Sequence, residues 1–320
     1  MKRAGCALLL CLMLLLVARG VHAQSCSATA SAINFGNVSP IAGSAVPATG
    51  TVSVTCTWPA ITLTPSAQVC LNLGGSSPRP LVNGSNTMQY NLYQDAARSL
   101  IWGSIYSGTT PISLTLAKPT VGNSASTTVT FYGLIAANQP TVPTVSNSST
   151  VYSQTFGGNQ TSINYGFYLL GAPSCASLTS PGGTFPFTAS ATVVNNCNIS
   201  ANNLSFGAAG VLNGNLSATG SVSARCTNGD AFRISLNGGG SGNVAARVMQ
   251  RQGGGGSVGY QLYTDAARST PWGDGTAGTS MVTGTGNGNA QVISVYGQVP
   301  TQTTPAPGTY SDTITATIVF

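Results

Sequence analysis

Glutamate is missing from this chain altogether, and histidine occurs once, at His22. Charged residues make up 5% of the 320 positions, too few for a phosphate-binding surface despite the formal net charge of +6. No C-x-x-C occurs, which removes the spacing a zinc site would use. The Gly runs 238–240 and 253–256 lack the Lys-Ser/Thr ending of a phosphate loop and read as flexible strand connections. Serine and threonine abound, but without Glu or a retained His no hydroxyl has an evident activating base. The expectation is a protein that is not an enzyme and needs no cofactor or metal.

The first residues sharpen these absences. Lys2 and Arg3 precede an apolar run from Ala7 to Val17, and Val21-His22-Ala23 places small residues at the cleavage positions of a secretory leader. The apolar run is short for a bilayer span. Residues 1–23 therefore read as a signal peptide, and its removal takes away the only histidine. Lys2, Arg3 and Arg19 leave with it, so eleven basic residues become eight against five aspartates, a net charge of about +3. Neither a nucleic-acid partner nor a membrane span after cleavage is expected.

Fourteen residues occur twice, 170 positions apart: Tyr90–Gly103 and Tyr260–Gly273, with ten identical pairs. The chain is a duplication, and each copy serves as a control for the other. Asp95/Arg98 and Asp265/Arg268 look like a charged site, but both copies carry them, so they read as ion pairs pinning a loop near Trp102 and Trp272. Six cysteines remain after cleavage, an even number that suits disulfides in an exported protein. Cys26 precedes Cys56 by 30 residues and Cys197 precedes Cys226 by 29, each pair bracketing a similar stretch. The expected bonds are Cys26–Cys56 and Cys197–Cys226, with Cys70–Cys175 private to the first copy.

Short alternating runs between Gly, Asn, Pro and Ser clusters predict strands at 51–55, 126–132, 162–170 and 313–320. No segment sustains helical periodicity; 95–98 would make one helical turn at most. The fold class is all-β: two tandem immunoglobulin-like β-sandwiches, each large enough for its own core. The division is a first domain over 24–180, a connecting segment over 181–195 and a second domain over 196–320.

The ends of the copies differ. Tyr310-Ser-Asp-Thr-Ile314 leads into a strand ending at Phe320, whereas the matching Tyr152–Phe156 is followed by forty further residues before Cys197. Within these, Phe185, Phe187, Ala189, Ala191 and Val193 share one face of an alternating strand. Such a strand could complete the first domain, form an edge of the second, or act as an ordered linker. Three connections are longer in the first copy, and all are apolar or Pro-rich. They contain Trp58, Ile61 and Leu63; Ile105 and Tyr106; and Pro140, Val142 and Val145. Exposed at one end of a sandwich they would suit contact with hydrophobic surfaces; the alternative is that they cover a larger core.

Three landmarks resemble the spore coat protein U domain, the pilin module of archaic (Csu-type) chaperone–usher pili. They are the Cys…Phe-Gly…Val-Ser-Val-x-Cys opening, the Tyr-x-Leu-Tyr-x-Asp…Trp-Gly core and the Tyr-Ser-Asp-Thr-Ile-Thr-Ala-Thr-Ile end. The resemblance implies sandwiches lacking their last strand, which a periplasmic chaperone lends and the next subunit's extension then replaces. Two-domain members of the family are tip adhesins. The implied partners are that chaperone, an outer-membrane usher and the next pilin subunit, with an abiotic or host surface as target. On this resemblance Phe185–Val194 is the strand completing the first domain from within the chain. Ile314, Ala316, Ile318 and Phe320 then belong to the strand that meets a chaperone or donor. The implied function is a pilus-tip subunit at the cell surface serving attachment and biofilm formation. A structural coat or fibre subunit, and a lectin using Trp58 and Tyr106 as sugar platforms, are the alternatives.

Overall fold

Alternation of apolar and hydroxyl residues dominates the strands. In the run Val52-Ser-Val-Thr-Cys56 the apolar side chains are buried and the hydroxyls face outward. There Ser53 meets Thr128 at 3.1 Å and Thr55 meets Ser126 at 2.7 Å across the ladder. Such cross-strand pairs stabilise a sheet whose other face is in the core. The computed structural model describes residues 24–179 and 182–320; the leader assigned to 1–23 lies outside them. Among the described residues, the regular elements apart from four single 3-10 turns are all strands. No helix among the described residues is long and apolar enough to cross a membrane.

The first unit contains β1 (Ser25–Ala30), β2 (Ile33–Val38), β3 (Val46–Thr57), β4 (Ser66–Leu73), β5 (Arg79–Asn83) and β6 (Asn86–Tyr93). It continues with β7 (Ile112–Ala117), β8 (Ser124–Ile135), β9 (Thr150–Phe156), β10 (Thr161–Tyr168) and β11 (Phe187–Val193). An eight-stranded sheet in the order β1-β3-β8-β6-β5-β9-β11-β2 packs on a three-stranded sheet, β10-β4-β7. The second unit contains β12 (Cys197–Ala201), β13 (Leu216–Cys226), β14 (Ala231–Leu236), β15 (Arg247–Arg251) and β16 (Ser257–Tyr263). After these come β17 (Val282–Thr285), β18 (Gln291–Val299), β19 (Tyr310–Ser311) and β20 (Ala316–Val319). Its sheets run β12-β13-β18-β16-β15-β19 and β17-β14-β20. Each unit has its own apolar core.

Cys26 and Cys197 lie directly opposite Cys56 and Cys226 in their ladders, with Cα–Cα distances of 4.1 Å in both, and are disulfide-bonded. Each bond ties an edge strand to its neighbour. Cys70–Cys175 bonds β4 to the segment that leads toward β11. The strand expected over 313–320 begins only at Ala316. Ahead of it, the Thr313 amide is taken by the Asp312 carboxylate rather than by a sheet neighbour.

Candidate functional sites: a groove and a pole

The duplicated block is scaffold, built the same way twice. Trp102 Nε1 donates to the Leu71 carbonyl at 2.8 Å, and Trp272 Nε1 to the Ile234 carbonyl at 2.9 Å. The expected Asp–Arg ion pairs are not how the loop closes. Asp95 accepts from the Leu100 and Ser99 amides, as Asp265 does from Thr270 and Ser269, and these donors hold both carboxyls below the ordinary range. The first-named donor is the larger cause at Asp95, whereas at Asp265 it is the Ser269 amide. Arg98 and Arg268, both at positive φ, donate to the carbonyls of Gly133 and Gly297. The backbone satisfies each charge, so 95–98 closes as a turn rather than a helical turn.

The sequence reading missed two buried arginines. Arg79 donates to the carbonyls of Gly74 and Trp102, and Arg247 to those of Asn237 and Trp272. Burial lowers the pKa of both guanidinium groups and raises that of the neighbouring Tyr90 and Tyr260 hydroxyls. The signal was available: Arg79 lies eleven positions before Tyr90 and Arg247 thirteen before Tyr260. Spacing drift between the copies hid it.

Where the copies part, a groove opens. In the first unit β11 lies between β9, to which it is antiparallel, and β2, to which it is parallel. Phe185, Phe187, Ala189, Ala191 and Val193 are all buried, and Phe187 packs against Trp102, Phe131 and Phe156. In the second unit the matching position between residues 202–210 and β19 holds no strand among the described residues. An open groove of about 1080 Å³ occupies it, lined by Leu204, Phe206, Val258, Val299, Ile314 and Ala316 among others. Tyr152, Phe156 and Ile163 are buried, whereas their counterparts Tyr310, Ile314 and Ile318 are only half-buried. Of the four residues assigned to the last strand, Ile314 and Ala316 line the groove. Ile318 pairs with Ile234 in the small sheet, and Phe320 lies beyond β20 and is exposed.

A second feature lies at the end of the first unit remote from the second. The register pairs Ser66↔Tyr168, Ser66↔Ala117 and Thr57↔Ser124 bring three connections to one pole: 58–65, 118–123 and 169–174. Ile61, Leu63, Val121, Leu169 and Leu170 at their tips are between 59% and 91% exposed. Below the tips the loops 58–65 and 118–123 are tied together. Lys118 Nζ donates to the Ala60 carbonyl at 2.9 Å, and the Trp58 amide to the Asn123 carbonyl at 2.8 Å.

The eight residues assigned to adhesive loops therefore separate. Only Ile61 and Leu63 stand exposed at this pole. Trp58 is 1% exposed, its ring edge-on to Phe167, because the loop folds it into the core. Ile105 and Tyr106 lie beyond the opposite end of β4, where the Ile105 amide donates to Asn72 and the Tyr106 hydroxyl donates to the Thr179 carbonyl. With Trp58 inside and Tyr106 far from it, the two rings form no common sugar platform.

Pro140, Val142 and Val145 belong to a loop docked on the second unit. Asn228 Nδ2 donates to the Thr141 carbonyl at 2.9 Å, and Arg225 Nη2 donates to Asn138 Oδ1 at 2.7 Å. Val142 is 2% exposed, and a Cβ on Gly288 would run into the Pro140 backbone. At the centre of this joint the Thr144 hydroxyl donates to one oxygen of the buried Asp230 carboxylate, while the other has no partner. Burial raises the Asp230 pKa, with the Thr144 hydrogen bond opposing. Proline-rich stiffness serves a rigid joint here rather than a surface contact. Among the described residues no three His, Cys, Asp or Glu side chains gather as a metal site would need.

The fold and these two features define a protein of two tandem β-sandwiches with one strand position filled and its counterpart open. The chain belongs to the Spore Coat Protein U domain family, whose model matches residues 13–154 and 183–317. Protein U of Myxococcus xanthus is 37% identical over 111 residues, 33% of this chain and 61% of that protein, so the match spans under two thirds of the relative. The solved structures that resemble the chain include two fimbrial subunits. One is the chaperone–tip adhesion subunit pre-assembly complex CsuC–CsuE, from the archaic chaperone-usher Csu pili of Acinetobacter baumannii. It is 18% identical with a TM-score of 0.48, over 92% of this chain and 100% of that one. The other is CfaE, the adhesive subunit of CFA/I fimbria of enterotoxigenic Escherichia coli, 10% identical with a TM-score of 0.34, over 91% and 92%.

Proposed function

We propose that this protein is the end subunit of a chaperone–usher surface fibre, receiving a strand in its second unit and attaching to surfaces through the apolar pole of its first. One observation carries the reading. The family match over 183–317 takes in the residues of β11, yet β11 pairs with β9 and β2 of the first unit. The chain thus performs on itself the strand donation for which its second unit presents a groove. An open groove with an apolar floor of Leu204, Phe206, Val258, Val299 and Ile314, beside unpaired backbone, favours strand addition over any small ligand. Its successive occupants would be a strand of a periplasmic chaperone and, at the usher, the extension of the next subunit. With β11 already in place, that strand position of the first unit is filled, and the unit is free to face outward.

Five apolar tips on three neighbouring loops, two of them tied together, suit attachment driven by burial of apolar surface. Replacing Ile61, Leu63 and Leu170 together by serine is expected to cut attachment to a hydrophobic surface at least several-fold, with fibre number and length unchanged in electron micrographs. Unaltered attachment by normally assembled fibres would place the contact elsewhere. Antibody label along fibre shafts, instead of at their ends, would rule out the end position.

A further inference from the structure

The two units correspond residue by residue around the groove. Trp102 and Trp272 donate to Leu71 and Ile234, which pair with Ile163 and Ile318. The Tyr90 and Tyr260 hydroxyls donate to Gln154 and Asp312, both at 2.7 Å. Gln154 therefore corresponds to Asp312 and, two residues on, Phe156 to Ile314. The ladder pairs Tyr93↔Tyr132 and Tyr263↔Tyr296 equate Phe131 with Val295. β11 places Phe187 opposite Phe156, Ala189 opposite Gln154 and Ala191 opposite Tyr152. A strand entering the groove in that register would have its corresponding residues opposite Ile314, Asp312 and Tyr310.

The groove's own side chains set what each position takes. Asp312 is pinned by Tyr260 at 2.7 Å and by the Gly240 amide at 2.8 Å. Its carboxylate sits so close to Gly239 that a Cβ there would run into it. The residue of β11 at the corresponding place, Ala189, is small and fully buried, and an acid opposite this fixed carboxylate would be repelled. At the Phe187 position the demand is reversed. The rings of Phe131 and Phe156, 5.3 and 4.7 Å from Phe187, are replaced by Val295 and Ile314. That end of the groove is wider than in the first unit.

A second vacancy adjoins the first. Ahead of β11, the Gly182 amide donates to the Ile163 carbonyl at 2.6 Å and the Ile163 amide to the Gly183 carbonyl at 3.0 Å, closing the outer edge of β10. Ile318, the counterpart on β20, has no such partner among the described residues. In the first unit the continuous segment 182–193 fills both places.

We propose that the partner of the second unit is one continuous extended segment with two parts. Its leading residues pair with the β20 edge at Ile318. Its strand then runs antiparallel to β19, with a large apolar residue opposite Ile314 and small uncharged residues opposite Asp312 and Tyr310. This rests on the groove being a strand acceptor, and the test separates the two ideas. Synthetic peptides of residues 182–194 and 187–194 of this chain are added to the full mature protein as it refolds. Binding and amide hydrogen exchange at Ile318 are then measured.

Both peptides should bind, and only the longer should slow exchange at Ile318. Leucine at the Ala189 position should weaken binding about tenfold or more through overpacking. Leucine at the outward Thr188 position should leave it unchanged, and tryptophan at the Phe187 position should bind at least as well as phenylalanine. Equal binding of the Ala189→Leu and Thr188→Leu peptides overturns the register. An unprotected Ile318 with the long peptide bound overturns the two-part footprint. If no alternating apolar peptide binds, the strand-acceptor reading itself falls.

Discussion

At the scale of single residues, most charges among the described residues are spent on backbone groups. Arg247 is fully buried and donates to Asn237, Leu236, Trp272 and Gln261. Its replacement by alanine leaves buried carbonyls without donors, and a loss of roughly 3–5 kcal/mol is expected for the second unit. Lysine should not rescue it, because a point charge cannot reproduce the guanidinium fork; denaturant titration of both variants is the measurement. Asp230 acts with the opposite sign to the loop aspartates. Its pKa is raised in the folded joint, so its ionisation costs stability once pH rises above the ordinary carboxylate pKa. Asp95, Asp265 and Asp274 have lowered pKa values, and their contribution is lost as pH falls. The comparison that isolates Asp230 is wild type against Asp230→Asn. The wild-type melting temperature should drop relative to the variant as pH rises from the ordinary carboxylate pKa toward neutrality. A difference independent of pH would contradict this assignment.

At the scale of elements, β11 decides the state of the first unit. Phe187 contacts three other aromatic rings, and its truncation to alanine should cost about 3–5 kcal/mol. Phe187→Asp should go further and open the first unit to a groove like that of the second, detectable as dye binding and as new exchange at β9 amides. Unchanged stability would mean that β11 is an ornament on a sheet complete without it. The strand itself was legible, since its period-2 apolar face stands out in a chain of small polar residues. So were β3, β8 and β10 and the disulfide pairs, because alternation and duplication are local or repeated signals. Loop placement was not legible. Residues 58–65 and 136–149 look alike in composition, yet one crowns the pole and the other docks on the second unit. Which end of the sandwich a loop joins depends on strand direction and order, and neither is encoded within the loop.

At the scale of the whole molecule, the joint built by 138–147 sets the two units against each other and keeps the apolar pole at the far end from the groove. The backbone links Thr144 N to Asn228 O at 3.3 Å and Val194 N to Val38 O at 3.0 Å, which hold the short connection between β11 and β12 close to both units. One face of the protein is thus left for a strand and the opposite end for a surface.

The sequence by itself determined the duplication, the all-β class, the cysteine pairs and the presence of an amphipathic strand between the units. Each is written in spacing or period, which survive without knowledge of the fold. Only the tertiary structure decided that this strand belongs to the first sheet, that Trp58 and Val142 are interior, that Val121, Leu169 and Leu170 join Ile61 and Leu63 at one pole, and that Arg79 and Arg247 are buried. These depend on contacts between residues far apart in the chain, where packing and backbone hydrogen bonding choose among partners that local composition does not distinguish.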